Sequence, residues 1–422
     1  MHEVIPEYRI KIVRFESGER FPVVLDRSGL PLHRPVFFFE TERHRATNTL
    51  ESKARTVAMV HNFLRAYRID LHTRVQQSRV LSMDEVSALS EHLRMIGSRT
   101  EARRVRLKLA HPEIEVPEIV AGHEWYHRRW RAYQYLAWLV ASIRDEFELP
   151  GIEYAKISEE LLKVRMLLVE RRTPPNNPPP VALSRKQIVV LLDAICPGSS
   201  TNPFPAHLQF RNFVLIGTYW ENGLRKSEVL GLKTADLSQE RDPPTLKLVR
   251  RPNSSKEHRA RPAAVKTMPR MVPVTPLLHG LLTDYINDAR RSVEFSLRNR
   301  GDKVRLRRFR SHSFIFVSSH GAPLSSSSVH KIFHTLRMST SGLPANLSPH
   351  ALRRTWNDLF TELGQEHLGP RATQIREYLM GWVRGSRQPA HYARLSTQRA
   401  AAKAIREMQR EWMARREEME DA

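Results

Sequence analysis

Apolar positions change their spacing along the chain. Over residues 8–40 they alternate or run together (YRIKIVRF, FPVVLD, PVFFFE) around a break at Ser28–Gly29, which predicts a small strand-containing segment. From about residue 47 the spacing becomes helical, in TLESKARTVAMVHNFLRAY, SMDEVSALSEHLRMI and HEWYHRRWRAYQYLAWLVASI. The last of these mixes Arg and His with Trp and Tyr, as in a helix that packs by one face and turns its basic face to solvent or to a DNA backbone. Leu161–Glu170 reads as helix, and Thr173–Pro180 (TPPNNPPP) then sets five prolines in eight residues. Helix interior cannot hold such a run, which reads as a semi-rigid extended linker.

Past the linker, Ser184 is the predicted N-cap of RKQIVVLLDAI, and Leu208–Trp220 predicts a buried helix. Leu246–Arg251 and Met271–Val274 predict two strands separated by an Arg- and Lys-rich loop. Phe314–Val317 predicts a short strand before a turn at His320–Pro323. A charged helix is expected from about Arg399 to Glu420, and no repeat is seen. The expected fold class is mainly α with a small antiparallel sheet, the C-terminal domain being α+β. The expected layout is an N-terminal extension over 1–45, a helical domain over 46–172, a linker over 173–183, a second domain over 184–398 and a C-terminal helix over 399–422.

Composition narrows the function. The chain holds 68 Lys plus Arg against 45 Asp plus Glu, a formal charge of +23. That excess points to a polyanionic partner, nucleic acid being the commonest. Cys196 is the single cysteine, which excludes an intrachain disulfide and a cysteine metal cluster. No run of about 18 apolar residues occurs, and the first residues lack a signal-peptide pattern. The expectation is a cytoplasmic, nucleoid-associated protein with no membrane contact. The basic run Lys303–Arg310 (KVRLRRFR) reads as a solvated face or a DNA contact.

Several motifs carry phosphate chemistry. In SPHALRRTW, Ser348–Pro349 fits a helix start. His350 and Arg353 then share one face near a positive helix end, an arrangement that grips phosphate. Arg354 lies near that face too, so spacing leaves either arginine open. In NGLRKSEVLGL, Asn222–Gly223 reads as a turn that places Arg225 at the start of the next helix, with Glu228 three residues on and able to orient its guanidinium. Lys266, in VKTMPRMVP, lies between the two predicted strands, where a lysine can protonate a leaving alkoxide. Trp382 stands in YLMGW and Tyr392 in AHYARLS. A tyrosine hydroxyl, with a pKa of about 10, attacks phosphate only beside groups that stabilise the charge. His123–His127 (HEWYH) matches a zinc-protease pattern with Glu124 as base and Glu146 as a third ligand by distance. Arg128 and Arg129 follow directly and oppose a dication, so no metal is expected.

Together these segments resemble the tyrosine recombinase (phage integrase) family over roughly residues 184–400. NGLRKSEVLGLKTADL is similar to its first arginine box, KTMPRMVPV to the strand that carries its active-site lysine, and SPHALRRTW to its His-x-x-Arg box. YLMGWVRGSRQPAHYARL is similar to its closing box, with Trp382 where His is more common and Tyr392 as nucleophile. Tyr378 falls where that box has a core residue. The helical domain before the linker resembles the family's core DNA-binding domain.

The resemblance implies a helical core-binding domain and a catalytic domain forming a clamp around DNA. It implies that Tyr392 attacks a phosphodiester to give a 3′-phosphotyrosine link. Arg225, Arg353, His350 and Trp382 stabilise the phosphate oxygens, and Lys266 protonates the departing 5′ oxygen. Neither ATP, metal nor other cofactor is needed. The implied partners are a double-stranded recombination site and, in a homotetramer on two duplexes, further copies of the chain; accessory proteins are left open. The helix after 399 carries an apolar stripe of Ile405, Met408, Trp412 and Met413, which docks in trans on a neighbouring subunit or folds back on its own domain. The competing readings are a type IB topoisomerase, a non-catalytic DNA-binding protein on this fold, and a zinc peptidase.

Overall fold

The computed structural model describes residues 7–95, 119–120, 122–147, 151–169, 182–238, 242–251, 257, 259, 261–263, 265, 267–383 and 385, except the side chains of 363, 365–367 and 370. The chain divides into two compact units, Met1–Asn177 and Pro178–Ala422. Among the described residues each is mainly helical with one small antiparallel sheet.

In the first unit, β1 (Arg9–Arg14) and β2 (Arg20–Leu25) form a hairpin with Arg9 opposite Leu25 and Arg14 opposite Arg20. β2 is buried along its length, which is why RFPVVL reads as a near-continuous apolar run. The third apolar run behaves differently. PVFFFE lies in α1 (His33–Thr41), where Pro35, Phe38 and Phe39 are buried and Phe37 is exposed. Spacing of three and four puts the buried residues on one helix face, and the run of three Phe hides that period.

The other described elements of this unit are helices α2 (Thr47–Ala66), α3 (Leu71–Gln76), α4 (Met83–Arg94), α5 (Gly122–Phe147) and α6 (Gly151–Val169). α4 starts at a capping box in which Ser82 and Glu85 satisfy each other's backbone N–H. Val60 and Phe63 of α2, Leu89 and Leu93 of α4, and Tyr135 and Leu136 of α5 are buried in one core. His61 is half-buried at the border of this core, with Nε2 2.6 Å from the Tyr135 hydroxyl. Burial pushes its pKa down to about 4. The HEWYH residues open α5. Glu124 there pairs with Arg128 and Arg131, and Glu146 with Arg34.

The second unit begins with α7 (Arg185–Ile195), capped by Ser184 in a capping box with Gln187. α8 (Ala206–Asn222) and α9 (Lys226–Gly231) follow. Strands β3 (Leu237–Ser238), β4 (Thr245–Leu248) and β5 (Arg270–Pro273) form one sheet, with Leu248 opposite Arg270 and Thr245 opposite Pro273. Next come α10 (Pro276–Asp284), a π turn (Tyr285–Ala289), α11 (Arg290–Asn299), α12 (Lys303–Arg310), α13 (Ser326–Ser339), α14 (Pro349–His367) and α15 (Ala372–Met380).

Val214, Ile216 and Tyr219 of α8 lie at the core centre, with Leu246, Val272, Leu282, Phe333 and Leu352. Phe314–Val317 is not a strand. It makes only isolated bridges, Lys233 with Phe314 and Val317 with Pro323. Among the described residues no helix is long and apolar enough to cross a membrane.

Candidate active site

α8 ends where Gly223 takes the left-handed conformation at φ 57°. A Cβ there would meet the Trp356 ring at 2.9 Å. Trp356 in turn donates from Nε1 to the Glu221 carbonyl at 2.8 Å, tying α14 to the end of α8. The turn delivers Arg225 to the N-cap of α9, as NGLRKSE predicts. Ser348 caps α14 by accepting from Ala351 N, with Pro349 in the first turn. That start sets exposed His350 one turn before Arg353, which is fully buried.

Two arginines converge. Arg353 donates from Nη1 to the Gly223 carbonyl at 2.8 Å and from Nη2 to the Met380 carbonyl at 3.2 Å. Arg225 donates from Nη1 to the same Met380 carbonyl at 3.3 Å. Met380 is the last residue of α15. Gly381, at φ 63°, then turns the chain so that Trp382 N donates to the Glu377 carbonyl at 2.9 Å. The buried Trp382 ring centroid lies 5.7 Å from the Arg353 guanidinium carbon. Spacing left Arg353 and Arg354 as alternatives; it is Arg353 that shares a carbonyl with Arg225.

Glu228 binds this cluster together, though not by orienting the Arg225 guanidinium. Its Oε2 accepts from the Arg225 backbone N at 2.6 Å and lies 3.9 Å from Arg353 Nη1. Its Oε1 accepts from Thr267 Oγ1 at 2.5 Å and from Arg270 Nη1 at 2.9 Å. Burial raises the Glu228 pKa, but Arg270, Thr267 and Arg353 outweigh it and hold the carboxyl below its ordinary value. The group is therefore an anion in the fold.

The sequence marks Arg270 and Thr267 only as members of the VKTMPRMVP strand segment. Arg270 also donates from Nε to the Leu379 carbonyl at 2.8 Å, and Met268 N reaches the Gly381 carbonyl at 3.5 Å. These bonds clamp β5 to the end of α15. One signal was present: Arg270 is two residues before Val272 and shares its buried strand face, where an arginine demands a buried acceptor. Tyr378 does not occupy a core position. It is half exposed, and its hydroxyl donates to the Met271 carbonyl at 2.8 Å.

The structure thus brings together Arg225, Arg353 and Trp382, with His350 one helical turn away. Lys266, Tyr392 and the helix expected from Arg399 to Glu420 lie outside the described residues. Two guanidinium forks converging beside a buried indole suit an oxyanion with several acceptor oxygens. Among the described residues no group of His, Cys, Asp and Glu is placed to hold a metal ion.

Comparison with known proteins matches residues 182–399 to the Phage integrase family. No curated protein sequence matches the chain. Among solved structures the chain is similar to XerH site-specific recombinase bound to palindromic difH substrate, at 15% identity over 90% of each chain and a TM-score of 0.40. It is similar to the Tn1549 transposon integrase in complex with circular intermediate DNA, at 16% identity over 74% of this chain and 94% of that one, TM-score 0.35. A third is a lambda integrase tetramer bound to a Holliday junction, at 12% identity over 93% and 96%, TM-score 0.31.

Proposed function

The chain belongs to the phage integrase family, the tyrosine recombinases, and on that premise we propose that it cuts and rejoins DNA at a specific site through a 3′-phosphotyrosine intermediate. The observation that carries this reading is the meeting of Arg225 and Arg353 on the carbonyl of Met380, which precedes Tyr392 in the same sequence box. In the proposed reaction the Tyr392 oxygen attacks phosphorus and the bond to the 5′ oxygen breaks. Lys266 supplies the proton to that oxygen. Arg225, Arg353, His350 and Trp382 donate to the non-bridging oxygens as charge builds there. Attack by a new 5′-hydroxyl reverses the step. One phosphodiester is exchanged for another, so the bond energy is conserved and neither ATP nor metal is consumed.

Exchange of both strands of two duplexes requires four cleavages, one tyrosine each. The proposed working assembly is therefore a homotetramer on two recombination sites, each subunit gripping its duplex with both units. Residues 46–172 would serve as the core-binding domain and 184–398 as the catalytic domain. The test is a strand-exchange assay on two duplexes carrying the protein's own site, with chelator present and ATP absent. Joined recombinant products are expected. Efficient relaxation of supercoils with no joining of two sites would overturn the recombinase reading and favour a topoisomerase.

A further inference from the structure

The hairpin of α11 and α12 is dense in charge. Between Arg290 and Arg310 stand nine Lys or Arg and two acids, Glu294 and Asp302. Both acids are engaged within the hairpin. Glu294 pairs with Arg310 at 2.7 Å, while Asp302 caps α12 and pairs with Arg305 at 3.1 Å. Arg290 is used inside: it donates to the Phe314 and His312 carbonyls and lies 4.5 Å from the Phe309 ring centroid. Arg291, Arg298, Arg300, Lys303, Arg307 and Arg308 are left exposed, with no ion pair among the described residues.

Helix electrostatics do not explain this set. The macrodipole favours Arg307 and Arg308 in the last turn of α12, but it disfavours Lys303 at the first position. Lys303 and Arg307 are also like charges one turn apart, which weakens a helix. Yet the hairpin is firmly built. Leu297, Phe309 and Val317 are buried together, with Val293 and Leu306 packed against them. Behind it, Tyr285 stacks on Phe316 and its hydroxyl accepts from Val317 N. The cations therefore stand on a fixed scaffold at helical spacing, with Arg291 and Arg298 flanking the exposed ring of Phe295 on one face of α11. Pre-placed, uncompensated cations in such an array match a polymer of phosphates.

We propose that the α11–α12 hairpin binds the phosphate backbone of duplex DNA, as a contact separate from the Arg225–Arg353 cluster. The proposal rests on the reading that the protein acts on DNA.

The test uses the full-length protein and duplex DNA carrying its site, with affinity measured across a salt series. Each phosphate contact contributes about 0.9 to the slope of log affinity against log salt. The variant R298Q/R300Q/R307Q/R308Q is expected to lose roughly 2–4 from that slope. Arg→Lys at the same four positions should keep it, since a point charge suffices for phosphate. If the fourfold variant does not fold, R307Q and R308Q alone should each lose about 0.9. A slope unchanged in folded Gln variants overturns the hairpin contact while leaving DNA binding intact; an acidic protein partner for the hairpin would give that same result. A wild-type protein that binds no duplex overturns both readings.

Discussion

Replacing Glu228 by Gln removes the one charge that holds three arginine-bearing segments in register. The carboxylate accepts three hydrogen bonds, from Thr267 and Arg270 on Oε1 and from Arg225 N on Oε2, and Arg353 lies 3.9 Å from Oε2 as a further positive neighbour. A glutamine can satisfy only one side. Its amide N–H₂ must then face the Arg225 N–H or the Arg270 guanidinium, donor against donor, in a place closed to water. Breaking one partner of a buried ion pair costs about 3–5 kcal/mol. For a unit of this size each kcal/mol lowers Tm by about 2–4 °C, so a drop of roughly 6–20 °C is expected by calorimetry.

Arg270→Met should cost a similar amount, because it strands the carboxylate. The double variant should lose less than the sum by about 1–3 kcal/mol. Acid denaturation gives a second reading of the same pair. The folded carboxyl titrates below its ordinary 4.5, so its contribution is complete above that pH and is lost as pH falls through the folded value. Glu228→Gln should therefore show a shallower acid limb. A Tm shift under about 2 °C, or strict additivity in the double variant, would refute the keystone role.

Three further outcomes are expected. His61 has a folded pKa of about 4 against the ordinary 6.5, so the first unit should lose stability as pH falls from 6.5 towards 4, by about 3 kcal/mol in full; His61→Phe should flatten that loss in pH-dependent urea melts. Gly381→Ala puts a Cβ against Arg270 Nη1 and within 2.9 Å of Thr267 Cβ, in a left-handed conformation; about 2–4 kcal/mol of destabilisation should appear in denaturant titration. Lys266→Ala should cleave an ordinary site poorly but regain activity on a 5′-phosphorothiolate substrate, whose leaving group needs little protonation. Continued inactivity on that substrate would count against the general-acid role.

What could be read from the chain was what local chemistry specifies. Ser184 with Gln187, Ser348 with Pro349, and Asn222 with Gly223 each announce a helix end through groups within three residues of one another. The last two of these ends carry Arg353 and Arg225 to their places. The links that join the ends are long-range and leave no spacing behind. Arg270 meets Glu228 from 42 residues away and Leu379 from 109. The i,i+3 spacing of Arg225 and Glu228 suggested a side-chain pair, but the N-cap geometry turns that carboxylate to the backbone N–H instead. PVFFFE hid its period because three consecutive Phe satisfy a strand and a helix alike. By analogy of position Tyr378 falls at a core residue, yet it is half exposed and its hydroxyl binds the Met271 carbonyl of β5.

The most direct measurement concerns Tyr392. Wild-type protein and Tyr392→Phe would be mixed with a nicked suicide substrate carrying the recombination site, and the denatured products resolved on a gel. A covalent protein–DNA adduct is expected for the wild type, none for Tyr392→Phe, and equal binding of the site by both. An undiminished adduct in Tyr392→Phe would contradict Tyr392 as the nucleophile.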